Sequence, residues 1–283
     1  MLIPSPQDFS FDQTVKSHGW RALLPFTWSE DAQSLEYIYA HSSGTVCIIK
    51  MSTPEGVLSV DCEIEDEEVL GAVRQMLQMD ILLDDFYAYC EQHQKLASIP
   101  PLKQGRLLVS PSIFEDVVRV ICTTNTTWAQ TTSMVARIVD AYGSPHPTNP
   151  ERKAFPTAQQ IAADTLEGFS TKAKLGYRNA SVYKIASDIS AGILNLEELR
   201  TNDFPATDLY KRLLTLPGVG PYAASCLMIY LGRYDRVNVD SWARTLVGKE
   251  LGRTVTDKEA HAFFEEYVEW KALVYHFYPW AAR

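Results

Sequence analysis

Apolar and polar positions alternate in the first part of the chain and then shift to a helical spacing. Leu35, Tyr37 and Tyr39 fall on every second residue, as do Val46, Ile48 and Lys50, with Ser42-Ser43-Gly44 between the two runs. A period of two around a glycine-bearing turn predicts an antiparallel hairpin. Residues 56–62 make a further extended run after Thr53-Pro54-Glu55-Gly56. From Asp66 onward the spacing is three and four, first in Val69, Val73, Met76 and Leu77, then in Phe114, Val117, Val118 and Ile121. This predicts a mainly α chain with an N-terminal α+β part. Residues 1–100 form a small antiparallel sheet domain leading into helices, and residues 101–283 a helical core. No internal repeat, low-complexity tract or long linker is visible.

Residues 206–216 place Leu209, Leu213, Leu214 and Leu216 among Asp208, Lys211 and Arg212, an amphipathic helix. Leu216-Pro217-Gly218-Val219-Gly220 ends it. Pro221 suits the first position of a new helix, where a missing N–H costs little. Ala224, Leu227, Met228 and Leu231 continue that helix at i, i+3, i+4 and i+7, and Gly232 sits where a C-terminal cap belongs. The product is helix, hairpin, helix, with backbone donors from Gly220 and the first helical turn facing outward. Such donors suit an anion. Twenty residues after Gly220, Asp240 in Val237-Asn238-Val239-Asp240-Ser241-Trp242-Ala243-Arg244 puts one carboxylate at the start of the next helix. Each part alone has an ordinary reading, the hairpin as a core corner and Asp240 as an N-cap. A capping Asp can still present a free lone pair, so both roles can coexist. The pair suits an enzyme that holds a phosphate backbone and cleaves something attached to it.

In this combination the sequence resembles the helix–hairpin–helix DNA glycosylases, in their 8-oxoguanine and 3-methyladenine II branch. Ile121-Cys122-Thr123-Thr124-Asn125-Thr126-Thr127, the helix through Met134, Val135, Arg137 and Ile138, Phe155-Pro156, and Leu175-Gly176-Tyr177-Arg178 carry the likeness further. Residues 106–252 match in order and spacing, and the first third more loosely. The resemblance implies a small sheet domain before a helical glycosylase core, and double-stranded DNA with a damaged base as partner. It makes Asp240 the catalytic carboxylate, which stabilises oxocarbenium character at C1′ and orients or deprotonates water. In members that also cut the strand, a Lys sits two positions after the second hairpin glycine; here that residue is Tyr222. A monofunctional enzyme using water is therefore expected, with Lys211 or Lys249 as the alternative amines.

Tyr222, Cys226 and Trp242 are the expected base pocket, and Ser17-His18-Gly19-Trp20 a further candidate lining. By that resemblance Tyr222 stands in the place of the Lys and Trp242 in that of a phosphate-binding His. Gly218 and Gly220 would hold DNA phosphate. The resemblance implies that Tyr177 would wedge into the duplex, while Asn125 and Arg178 would hydrogen-bond the widowed cytosine. Gln130 stands in place of a second base-reading Arg. A structural monovalent cation held by the carbonyls of Leu214, Leu216 and Val219 is implied by resemblance alone. The substrate expected is an alkylated purine, favoured by Tyr222 and the missing Lys. The alternatives are 8-oxoguanine, favoured by Asn125, Tyr177, Arg178 and Cys226, and a non-catalytic hairpin protein that only binds DNA.

Charge complicates this picture. A net charge of −9 and a pI near 5.2 argue against nucleic acid if charge is spread evenly. Residues 1–100, however, hold 5 Lys and Arg against 16 Asp and Glu, and the remainder 21 against 19. The run Asp61, Glu63, Glu65, Asp66, Glu67 and Glu68 reads as a solvated face turned from DNA. The weakly basic remainder predicts modest non-specific affinity and a shallow salt dependence. Five cysteines (Cys47, Cys62, Cys90, Cys122, Cys226) lack any Cys-x-x-Cys, which argues against zinc and disulfide frameworks. No cysteine follows Asp240, so no iron–sulfur loop is expected. Trp270, Tyr275, His276, Phe277, Tyr278 and Trp280 read mostly as core, with one ring available to close the pocket. No signal peptide or membrane span is visible. A cytoplasmic monomer, nucleoid-associated in a bacterium, is the expectation.

Overall fold

The structure, a computed structural model, describes residues 1–280. Five strands, β1 (Leu2–Ile3), β2 (Phe26–Ser29), β3 (Ser34–Ala40), β4 (Val46–Ser52) and β5 (Leu58–Asp61), form one antiparallel sheet ordered β1-β5-β4-β3-β2. The expected hairpin is β3–β4, with Ala40 opposite Val46 and Gly44 at a left-handed φ of 87° in the turn. Its inward face on β4 is Cys47, Ile49 and Met51, all fully buried. Val46 and Ile48 lie on the opposite face, where they cluster with Ile38 and Ala154. The strands and hairpin are as expected, but the Val46, Ile48 and Lys50 set faces away from the Leu35, Tyr37 and Tyr39 set, and both faces are covered.

Helices follow from Glu67–Met76 onward. The Ile113–Thr123 helix is central and buried nearly throughout, including Glu115, Asp116 and Arg119. One core joins the inward sheet face to this helix and runs on to Met228. A second packs residues from Leu83 to Leu107 against those from Ile229 to Trp280, Trp280 included. The Pro221–Tyr230 helix borders both cores, and Tyr230 touches each. A cavity opens where the two cores meet.

Arg119 is fully buried and pairs with the Glu115 carboxylate one helical turn away. Its guanidinium also lies 4.9 Å from the Phe26 ring centre and 5.9 Å from that of Trp20. A buried pair of this kind is costly to break, about 3–5 kcal/mol, because the orphaned charge remains in an apolar setting. Trp20, clamped in this way, donates its indole N–H to Asp116 Oδ1 at 2.9 Å.

The acidic run is not simply a solvated face. Asp66 caps the Glu67–Met76 helix by accepting from Val69 N at 3.0 Å. Glu68 accepts from Ser42 N and Tyr39 Oη, and His41 Nε2 lies 2.9 Å from Asp66. These acids fasten the helix start to the sheet, since strand-edge and helix-end N–H groups need acceptors. Among the described residues no helix is long and apolar enough to cross a membrane.

Candidate active site

The hairpin forms as its residues require. The first helix spans Ala206–Leu214, two residues shorter than its apolar pattern suggested, because Thr215 and Leu216 already turn toward the loop. Val219 N–H donates to Leu216 O at 3.1 Å. Gly218 takes a φ of 77°, and a Cβ there would lie 2.7 Å from Ser181 Cβ and Oγ. The tip is therefore seated on the Asn179–Ser190 helix. Gly220 precedes Pro221 in extended geometry, and a Cβ on it would meet nothing within 4 Å. One glycine is needed for packing; the other leaves the first helical turn open to solvent.

Asp240 is the N-cap of the Ser241–Leu251 helix, its Oδ1 accepting from Ala243 N at 2.8 Å. That single bond leaves the second carboxylate oxygen outside the cap. Asp240 also lines the cavity between the cores, of about 400 Å³, together with Tyr222, Cys226 and Trp242. His18, Gly19 and Trp20 form part of the same wall, as do Tyr275 and His276. Trp270, Phe277, Tyr278 and Trp280 belong instead to the second core. The expected pocket residues are thus brought together from four separate stretches of chain.

No protein-family model matches the chain. It is 23% identical over 279 residues to the probable N-glycosylase/DNA lyase of Methanothermobacter thermautotrophicus, across 90% of this chain and 87% of that protein. The 8-oxoguanine glycosylase/lyase of Clostridium acetobutylicum in its apo form superposes with a TM-score of 0.77 at 16% identity, covering 99% of this chain and 95% of that one. The 3-methyladenine DNA glycosylase of Archaeoglobus fulgidus gives 0.74 at 17% identity, covering 98% and 97%. The chain has the helix–hairpin–helix DNA glycosylase fold.

Within this glycosylase fold, hydrogen-bond accounting shows what the cavity wall can offer. His18 Nε2 lies 2.6 Å from the Leu108 carbonyl, so that nitrogen carries the proton and donates. Burial lowers the His18 pKa to about 4, keeping the ring neutral. Its ring stacks on Tyr230 at 5.4 Å. Asn238 Nδ2 donates to Tyr222 O at 2.8 Å and to Cys226 Sγ at 3.4 Å. Thr123 and Thr131 donate their hydroxyls to the carbonyls of Val120 and Cys122. These four wall residues turn their donors inward and leave acceptor lone pairs. Burial pushes the Cys226 thiol up to about 11 and raises the Tyr222 phenol well above its ordinary value. Both groups stay neutral, and Asp240 is the one carboxylate among the described wall residues.

Several wall residues escaped sequence reasoning, and Trp128, Asn238 and Tyr230 are the ones with side-chain roles in shaping it. Trp128, at the first position of the Trp128–Tyr142 helix, packs its indole against Gly19. Asn238 ties the loop before Asp240 to the hairpin's second helix. Tyr230 ends the Pro221–Tyr230 helix and stacks on His18. Asn238 was the most legible of these, being a polar residue between Val237 and Val239 two positions before the acid.

Asn125, Tyr177 and Arg178 are neighbours, as expected, but their side chains differ in availability. Asn125 is exposed, with a left-handed φ of 46° just after the Ile113–Thr123 helix. Tyr177 is 67% exposed, its hydroxyl 3.4 Å from Thr124 Oγ1. Arg178 is buried beneath it, with the guanidinium 4.4 Å from the Tyr177 ring centre. Its nitrogens donate to the carbonyls of Ile121, Thr124 and Leu175. Ile121 and Thr124 end the Ile113–Thr123 helix and Leu175 precedes Arg178 in its own turn, so the planar guanidinium supplies donors to loose carbonyls of two segments. Gln130 accepts from Thr126 Oγ1 at 2.5 Å.

Lys211 and Lys249 are exposed and are absent from the cavity wall, as is every other lysine among the described residues. Of the carbonyls considered for a monovalent cation, that of Leu216 accepts from Val219. Those of Leu214 and Val219 accept no backbone hydrogen bond among the described residues. All three therefore keep at least one lone pair.

Proposed function

We propose that this chain is a monofunctional DNA glycosylase of base-excision repair, hydrolysing the N-glycosidic bond of an alkylated purine flipped from the duplex. The observation that carries this reading is Asp240, a cap with an oxygen to spare, in an aromatic cavity whose wall holds no lysine. The hairpin at Gly218 and Gly220 supplies the phosphate cradle, and Tyr177 the exposed ring that enters the gap left by the base. The Leu214, Leu216 and Val219 carbonyls would hold a monovalent cation that stiffens this hairpin.

As the C1′–N bond breaks, its electron pair leaves with the base and the sugar becomes cationic. Asp240 stabilises that charge and takes a proton from the water whose oxygen bonds to C1′. An alkylated purine carries its positive charge before cleavage and leaves neutral, so no general acid is required. The neutral His18, Tyr222 and Cys226 and the inward-turned donors support a cationic or N–H-bearing base. Electron-rich rings of Trp128, Tyr222 and Trp242 favour the same charge.

A second reading, excision of 8-oxoguanine, is favoured by the adjacent Asn125 and Tyr177 and by Cys226 in the wall. Duplex oligonucleotides carrying 7-methylguanine, 3-methyladenine, hypoxanthine or 8-oxoguanine separate the two. Breaks that form only after alkali, with no borohydride-trapped adduct, are the expected result. A trapped adduct would mean amine chemistry and overturn the hydrolytic assignment.

A further inference from the structure

Outside this cavity, the sheet gathers a second set of chemically distinctive side chains. Register pairs Lys50 of β4 with Asp61 of β5, which sets Ile49 opposite Cys62 and leaves Cys47 diagonal to it on the same inward face. Both cysteines are buried free thiols. β5 ends at Asp61, so the first half of β4 lacks a partner on that edge. Glu63 folds back over the gap and accepts from Ile48 N at 2.9 Å. This brings a Glu63 carboxylate oxygen, Cys47 Sγ and Cys62 Sγ within 4.8 Å of one another.

We propose that Cys47, Cys62 and Glu63 bind a thiophilic divalent cation, zinc by preference. Two thiolates and one carboxylate are a zinc donor set, and soft sulfur ligands disfavour magnesium and calcium. Zn–S bonds of about 2.3 Å and Zn–O bonds of about 2.0 Å put tetrahedral ligand atoms roughly 3.5–3.8 Å apart. The observed ligand atoms, all within 4.8 Å of one another, lie near that spacing. Support for the ligands is also in place. The Ile48 N–H fixes one carboxylate oxygen, and His146 Nε2 lies 3.3 Å from the other. Thr148 Oγ1 in turn lies 3.3 Å from His146 Nδ1. A carboxylate held in this way is preorganised for a metal.

Glu63 is exposed, which leaves water access for a fourth ligand. The neighbouring acids from Asp61 to Glu68 supply a potential that attracts cations. Binding releases the two thiol protons to solvent and fastens the open edge of β4 to the segment that follows β5. Cysteine spacing concealed this site, because strand register rather than a local motif brings the thiols together.

The test uses the full chain, reduced and freed of metal by a chelator, then titrated with cobalt. One equivalent should produce a thiolate-to-cobalt charge-transfer band and the visible bands of a tetrahedral ion, both bleached by zinc. Cys62→Ala should abolish the charge transfer expected of two thiolates. Glu63→Gln, which preserves the Ile48 hydrogen bond at an exposed position, should weaken binding by about tenfold or more. Absence of cobalt bands in the reduced, folded protein would overturn the proposal. So would unchanged cobalt affinity in Glu63→Gln, or a Cys47–Cys62 disulfide that persists in mild reductant.

Discussion

Trp128 packs directly on the backbone of Gly19: a Cβ at residue 19 would lie 2.5 Å from Cη2 of the indole. The two residues are neighbours in the cavity wall although they come from distant stretches of chain. Gly19→Ala should displace the indole and lower kcat/KM for base release by about tenfold, equal to about 1.4 kcal/mol. A shift in melting temperature of only a few degrees should accompany it. In the Trp128→Ala background the added methyl should have little further effect, because its collision partner is gone. A double-mutant cycle on both readouts checks this coupling, and additive effects would dismiss it.

Asp240→Asn separates capping from chemistry. Asparagine is as good an N-cap as aspartate, so Ala243 N should keep its acceptor and the melting temperature should hardly change. Base release should fall at least a thousandfold while duplex binding persists. Asp240→Ala should lose the cap as well, costing about 1 kcal/mol of stability. Unchanged base release in Asp240→Asn would remove the proposed mechanism.

How much of this was legible in the sequence depends on how local each signal is. The hairpin, its Pro221 and the Asp240 cap follow from short-range rules, and all three lie where those rules put them. The β3–β4 hairpin followed from alternation, although the Val46 and Ile48 set faces Ala154, remote in sequence, rather than the main core. The Gly19–Trp128 contact joins residues more than a hundred positions apart, and nothing near either announces it. Arg178 illustrates a different limit. The family resemblance implied a reader of bases, whereas the carbonyls of Ile121, Thr124 and Leu175 engage it inside the protein.

Arg178→Lys should therefore behave as a structural change. An ammonium cannot reach three carbonyls in the geometry of a planar fork. A loss on the order of 2 kcal/mol is expected, from charge-assisted bonds left unmade. Opposite-base preference, compared over the four possible partners of the lesion, should stay as in the parent. A changed preference at unchanged stability would instead make Arg178 a base reader.

Two buried groups give opposite pH dependences. His18 has its pKa lowered from 6.5 to about 4 by burial, so its contribution is present above pH 6.5 and lost as pH falls toward 4. Glu115 is raised from 4.5 to about 7 by burial, so its contribution is present below pH 4.5 and lost as pH rises through 7. Each is on the order of 3 kcal/mol, and in the parent they largely offset one another between these limits. Stability of the parent relative to His18→Asn should fall on acidification. Relative to Glu115→Gln it should fall on moving from pH 5 to pH 8. Denaturant unfolding at several pH values measures both differences, and a parallel pair of curves would contradict the assignment.

The two hairpin glycines should respond differently to alanine. At Gly218, with a φ of 77°, a methyl is strained and would sit 2.7 Å from Ser181. Gly218→Ala should therefore destabilise the chain by roughly 1–3 kcal/mol and loosen the hairpin. Ser181→Gly should recover only part of that loss, since it removes the collision but not the backbone strain. Gly220 has a φ of −90° and open space where its Cβ would go, so Gly220→Ala should leave the melting temperature within a degree or two. In the proposed phosphate cradle the same methyl would obstruct approach to the first-turn N–H groups, so duplex affinity should drop about tenfold. Loss of affinity without loss of stability at Gly220, and the joint loss at Gly218, would mark the outer glycine as the DNA contact and the inner one as its support. Equal affinities for Gly220→Ala and the parent would place the phosphate elsewhere.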